Sequence, residues 1–218
     1  LRLPIKTEYN LNDMAKDGIN ILDHLEIDKA HILGTSMGGM ISQIICAKYP
    51  ERVCSFTLIA STASVPGPLN GPSKEVRDMM LERSQIENPS MEEVYQRELK
   101  WVGLIGMENR EVDTPEFREE TINNYIRVEK IKDGFGYARQ LFAILSSKNR
   151  LRKIRSIKSR TLIIHGKKDP VINVKNSYLM KRLIPNSELI IINNMRHLIE
   201  EEILDQFKEK LLQHLSES

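Results

Sequence analysis

Apolar residues fall along this chain in two rhythms, and each predicts a different element. Ala30-His31-Ile32-Leu33, Val53–Ile59, Thr161–Ile164 and Glu188–Ile192 are short, largely apolar runs, as expected of strands buried in a sheet. Met40–Ala47 is apolar over a length better suited to a buried helix, which ends at Pro50. Between Val65 and Pro72 the sequence reads Val-Pro-Gly-Pro-Leu-Asn-Gly-Pro, which leaves no room for a regular element. From Ser73 to about Ser147 the pattern turns helical. Ser90-Met91-Glu92-Glu93 reads as a capping box, and Thr114-Pro115 as an N-cap followed by proline at the first helical position. A last helical run is expected from about Ile199. Two strand-bearing stretches thus flank a helical insertion, dividing the chain into residues 1–64, 65–150 and 151–218.

The first chemical signal lies between the strand at Leu33 and the helix at Met40. Residues 34–39 read Gly-Thr-Ser-Met-Gly-Gly. A Gly-x-Ser-x-Gly at a strand-to-helix turn has the form of a nucleophile elbow. The serine occupies a strained turn that projects its hydroxyl, and Gly34 and Gly38 are expected to remove Cβ atoms that would clash. A serine hydroxyl is a weak nucleophile until a base takes its proton and an acid orients that base. Asp169 lies just beyond the strand Thr161–Gly166, at the sheet edge where ligands and reacting groups gather in open α/β sheets. His197 occupies the equivalent loop after Glu188–Ile192. Ser36, Asp169 and His197 therefore follow the order serine, acid, histidine at three equivalent strand ends.

Other readings of these residues fit less well. A phosphate-cradling loop needs Gly-Lys-Ser/Thr, but Gly38-Gly39 is followed by Met40, and a dinucleotide fingerprint is absent. Asp169 before Pro170 also suits an ordinary turn, but the loop after Ile59-Ala60 offers only Ser61, Thr62 and Ser64 as rivals. Among the other histidines, His24, His31 and His214 lie away from this edge. His165 ends the strand before Asp169 and is expected to pack beneath the site.

Gly34–Gly39, His165-Gly166-Lys167-Lys168-Asp169-Pro170 and Asn194-Met195-Arg196-His197 each resemble a motif of the α/β-hydrolase superfamily. Tyr9-Asn10-Leu11-Asn12-Asp13-Met14-Ala15, onward to Ile27-Asp28-Lys29-Ala30, resembles its pre-elbow helix. The resemblance runs from about Tyr9 to the C-terminus, is weakest over residues 65–150, and is nearest to small-molecule esterases of the methylesterase and enol-lactonase kind. It implies an α/β-hydrolase fold, a mostly parallel sheet flanked by helices, with the helical insertion as a lid. It also implies Ser36 as nucleophile, His197 as base, Asp169 as orienting acid and the Met37 N–H as an oxyanion-hole donor. The implied activity is hydrolysis of small, hydrophobic carboxylic esters through an acyl-enzyme, with no cofactor or metal. Carbon–carbon bond hydrolysis, lactone opening and acyl transfer use the same triad, and a non-catalytic binding protein of this fold is a reading from a different class. Family members carry further strands and an oxyanion loop before the pre-elbow helix, whereas this chain begins at Leu1, close to that helix. The expectation is that the N-terminal strands are missing, leaving the elbow strand as an edge open to self-association.

Composition changes this picture little. At 218 residues and 40% hydrophobic, the chain can bury a sizeable core. Seven cations between Lys148 and Arg160 invite a nucleic-acid reading, but aromatic interleaving is absent and the net charge is +2, so a solvated helix and connector is expected. Glu108 to Glu120 is expected to be an exposed acidic face. No run approaches transmembrane length, so no membrane partner is expected. Cys46 and Cys54 read as thiols rather than a disulfide framework, which suits a cytoplasmic setting. In the insertion, apolar residues such as Met79, Trp101, Met107 and Phe135 are expected to pack lid helices, a minority of them touching ligand.

Overall fold

The computed structural model describes residues 8–67, 71–83, 89–108, 111–131 (backbone alone from 128) and 136–217. Part of the Pro/Gly segment and Phe135 lie outside the described residues. Among those described, four parallel strands stand side by side in chain order: β1 (Ala30–Thr35), β2 (Val53–Ile59), β3 (Arg160–Gly166) and β4 (Ser187–Ile192). Thr35 lies opposite Ile59, Ile59 opposite Ile164, and Gly166 opposite Ile192, so the strands end together along one edge.

Both faces of this sheet are covered, as a parallel sheet requires. On one face, Phe56, Leu58 and Ile163 pack with α1 (Leu11–His24), α2 (Ser36–Lys48) and α7 (Lys175–Leu183). On the other, Leu162, Ile164 and Ile192 pack with α8 (Glu201–Asp205) and α9 (Lys208–Ser216). α1 buries Leu11, Ala15 and Ile19, one stripe at helical spacing, and is opened by an Asn10–Asp13 capping box. It ends at His24, short of the expected run toward Ala30. Glu26 turns left-handed at φ 54°, and the Ile27 N–H reaches back to the Leu22 carbonyl, a Schellman closure. The helical run expected from Ile199 is broken into α8 and α9, because Phe207 leaves the helix to fill the core at 2% exposure.

β4 is less buried than its apolar run suggests: Leu189 to Ile191 are half-buried and Glu188 is exposed, since no strand flanks β4's outer side among the described residues. Between β2 and β3 come α3 (Lys74–Arg83), α4 (Met91–Ile105), α5 (Pro115–Ile131) and α6 (Gly136–Leu145). The Ser90–Glu93 capping box opens α4, and the Thr114 hydroxyl accepts the Phe117 N–H at the start of α5.

The basic run is solvated as expected at Lys148, Arg152, Lys153, Arg155 and Lys158, but not at Arg150. Arg150 is buried, donating to the Thr62 carbonyl, Gln43 Oε1 and the Ser147 hydroxyl, and burial pushes its guanidinium down to about 10. Its own N–H donates to the Ala63 carbonyl, and the Val65 N–H to Asn149, so the two ends of the insertion are pinned to each other.

Candidate active site

Ser36 is the first residue of α2, at the point where β1 ends. Its φ is 49°, in the left-handed region that non-glycine residues seldom adopt, and this turn swings its side chain clear of the strand. A Cβ on Gly34 would run into the Gly38 carbonyl and the Ser42 hydroxyl. One on Gly39 would meet Leu58 Cδ1 at 2.6 Å and Ser61 Cβ at 2.7 Å. Gly38 has nothing within 4 Å in that direction, so the crowding expected there falls on its neighbour. The helix starts at Ser36, and its fourth residue, not its third, faces β2. The Ser61 hydroxyl donates to the Ser36 carbonyl at 2.7 Å and holds the strained turn from the end of β2.

Asp169 sits in the turn beyond β3, its side chain fully buried. Its Oδ1 accepts the N–H groups of Val171 (2.8 Å) and Ile172 (2.9 Å), the latter closing the turn around Pro170. Oδ2 accepts the Nδ1–H of His197 at 2.8 Å. That bond fixes the imidazole tautomer, leaving Nε2 to accept the Ser36 hydroxyl at 3.0 Å. Burial acts to raise the Asp169 carboxyl, but hydrogen bonds from His165 and His197 outweigh it and hold the group below the usual carboxylate range. Three residues far apart in sequence therefore form one hydrogen-bonded line from a buried carboxylate to a half-buried hydroxyl.

The loops carrying these groups are built against each other. A Cβ on Gly166 would strike the carbonyls of Met195 and Arg196, so the end of β3 lies directly under the His197 loop. Met195 is fully buried below that loop, and the Lys168 N–H donates to its carbonyl at 3.2 Å. From above, the N–H groups of His197 and Leu198 donate to the Ile105 carbonyl at the end of α4. Arg196 donates to the carbonyls of Gly103 and Leu104 and pairs with Glu108, which also pairs with Lys168. Glu108 is thus not simply part of an exposed acidic face. No local pattern gives Ser61, Arg196 or Glu108 these roles in sequence, because each acts on a partner in another element.

A family model for the alpha/beta hydrolase fold matches residues 2–202. The chain belongs to the α/β-hydrolase family. Within it, the chain is 29% identical over 189 residues to a poly(3-hydroxyalkanoate) depolymerase of Ectopseudomonas oleovorans, covering 85% of this chain and 61% of that protein. It is 28% identical over 182 residues to lipase 1 of Psychrobacter immobilis, covering 81% of this chain and 52% of that one. It therefore spans roughly half to three fifths of the length of these curated relatives. Among solved structures, a meta-cleavage product hydrolase of Pseudomonas fluorescens superposes with a TM-score of 0.74 at 24% identity, covering 97% of this chain and 73% of that one. This α/β-hydrolase chain has no helix long and apolar enough to cross a membrane among the described residues. Nor do those residues hold a His/Cys/Asp/Glu group suited to a metal ion.

Proposed function

We propose that this chain carries the catalytic machinery of a serine hydrolase acting on carboxylic esters. The observation behind this reading is the hydrogen-bonded line Ser36 Oγ to His197 Nε2, and His197 Nδ1 to Asp169 Oδ2, at 3.0 and 2.8 Å. His197 takes the hydroxyl proton as Ser36 Oγ attacks the ester carbonyl, and Asp169 steadies the imidazolium that forms. The Met37 N–H lies in the first turn of α2, among the helix donors that lack an intrahelical acceptor, and supplies one oxyanion contact. His197 then passes its proton to the leaving alcohol. Water, activated by the same imidazole, cleaves the acyl-enzyme.

The α3–α6 segment acts as the lid, tied at Ile105 and Glu108 to the loops that carry His197 and Asp169. Relatives named lipase and depolymerase support ester cleavage. The test is labelling with a fluorophosphonate together with turnover of a panel of p-nitrophenyl esters and lactones. Labelling that Ser36→Ala abolishes, with hydrolysis of the esters, is the expected result. An unlabelled, folded protein with no turnover points instead to a non-catalytic binding role.

A further inference from the structure

His165 is fully buried at the end of β3, and none of the steps above uses it. A buried imidazole must place both ring nitrogens on partners. Its Nε2 lies 2.8 Å from the Ile172 carbonyl, which can only accept, so in the neutral ring the proton is on Nε2. Nδ1 then accepts, and the buried Ser177 hydroxyl of α7 donates to it. The same Nε2 is 3.3 Å from Asp169 Oδ2, the oxygen that holds His197. The opposite tautomer would aim the Nε2 lone pair at two acceptors at once.

We infer that His165 is a positioning residue, whose Nε2–H, fixed by Ser177, holds the Asp169 carboxylate at the angle that orients His197. This inference rests on the proposed hydrolase reading. Val171 and Ile172 donate to Oδ1 and His197 to Oδ2, while the His165 Nε2–H, which donates to the Ile172 carbonyl at 2.8 Å, also lies 3.3 Å from Oδ2. The two backbone bonds anchor one oxygen, and the two imidazoles converge on the other. The titratable groups against His165 are the Asp169 carboxylate and, across it, His197; from α7 comes the Ser177 hydroxyl. Without the His165 donor, Oδ2 is held only by the group it is meant to orient. It also becomes a stronger acceptor toward His197, which favours the imidazolium and moves the acidic limb of the pH profile upward.

Glutamine is the conservative replacement, since its amide has a donor and an acceptor to stand in for those of the neutral ring, whereas phenylalanine fills space without either. The experiment compares wild type, His165→Gln and His165→Phe by kcat and KM on a p-nitrophenyl ester and by fluorophosphonate labelling rate across pH. His165→Phe is expected to lose about 10- to 100-fold in kcat, the scale set by a small misplacement of a catalytic group. Its KM should stay near wild type and its acidic limb should move to higher pH. His165→Gln should recover most of the rate and the wild-type limb.

Equal losses in the two variants would reduce His165 to a packing role, and wild-type behaviour in both would remove any role; either overturns the inference. Should His165→Phe fail to fold, Ser177→Ala decides. It is expected to give a smaller loss with the same direction of limb shift, and a wild-type profile overturns the inference. The nitrogen-15 shifts of the His165 ring in the wild-type protein give an independent readout. The Nε2–H form is expected, and the Nδ1–H form contradicts the inference. A wild type that neither labels nor turns over strikes the hydrolase reading, and an Nδ1–H ring would then still overturn the His165 contact.

Discussion

Arg196 reaches from the His197 loop to Glu108, its Nη2 lying 3.0 Å from Oε1, while its Nη1 donates to the last carbonyls of α4. Lys168, beside Asp169, reaches the other oxygen of the same carboxylate at 2.7 Å. One acidic residue of the insertion therefore bridges the neighbours of two residues of the site.

This bridge is half-exposed, so it should matter more for position than for stability. Pairs of this kind contribute under about 1 kcal/mol. Glu108→Gln is expected to leave the thermal midpoint nearly unchanged and to lower kcat severalfold. Because salt screens exposed pairs, with a Debye length near 10 Å at 0.1 M falling to about 3 Å at 1 M, wild-type turnover should decline toward the variant's as salt rises. The variant's own turnover should respond less. Parallel salt curves for the two proteins would show that the bridge has no part in turnover.

Ser36→Ala is expected to abolish ester hydrolysis and fluorophosphonate labelling with little change in thermal midpoint, since the hydroxyl's recorded partner is His197. Asp169→Asn should lose about ten-thousandfold in kcat, because an amide in place of Oδ2 favours the wrong imidazole tautomer. An alanine variant that kept more than a few per cent of turnover would remove Ser36 as nucleophile.

Acid should act on activity and on stability at different pH. Activity should fall as pH drops from neutral, because protonated His197 cannot accept the serine proton. Asp169 follows the carboxylate sign: its folded value lies below the ordinary 3.8. The stability it contributes is therefore complete above 3.8 and is lost only as pH falls through the lowered value. Measured together, kcat/KM should decline while the thermal midpoint still holds. A pH profile flat through the mildly acidic range would count against His197 as base.

The two adjacent glycines of the elbow should part company under substitution. Gly38→Ala adds a methyl group into open space within α2 and is expected to be neutral or to stabilise by up to about 1 kcal/mol. Gly39→Ala must displace Leu58 or Ser61, and Ser61 holds the Ser36 carbonyl. It should lower both thermal midpoint and turnover. Circular-dichroism melts and ester kinetics on the pair check this, and equal melting temperatures would contradict it.

β1 pairs with β2 on one side and, among the described residues, with no strand on the other, while Leu33 on it is 50% exposed. A polypeptide of residues 1–218 is expected to self-associate through this edge. Leu33→Lys should shift the light-scattering mass toward monomer. A monodisperse monomer without the substitution would refute the self-association.

Much of this arrangement is written locally. The strand runs, the capping boxes at Asn10 and Ser90, the proline opening of α5 and the elbow pattern at Gly34–Gly39 depend on neighbouring residues, and their spacing declares them. Ser36, Asp169 and His197 were legible because each follows a recognisable strand, and a parallel sheet brings strand ends to one edge. What lay beyond the sequence depends on approaches between distant segments. That Gly39 rather than Gly38 is crowded follows from how α2 meets β2. Arg150 is buried because the ends of the insertion close over it, though its neighbours mark it as one of a solvated row. Ser177 meets His165, and His165 comes close to Asp169, because α7 packs against β3; Glu108 spans Lys168 and Arg196 because α4 ends over their loops. Periodicity records which face of an element is apolar; which polar group waits on the far side of a contact is settled only when the elements pack.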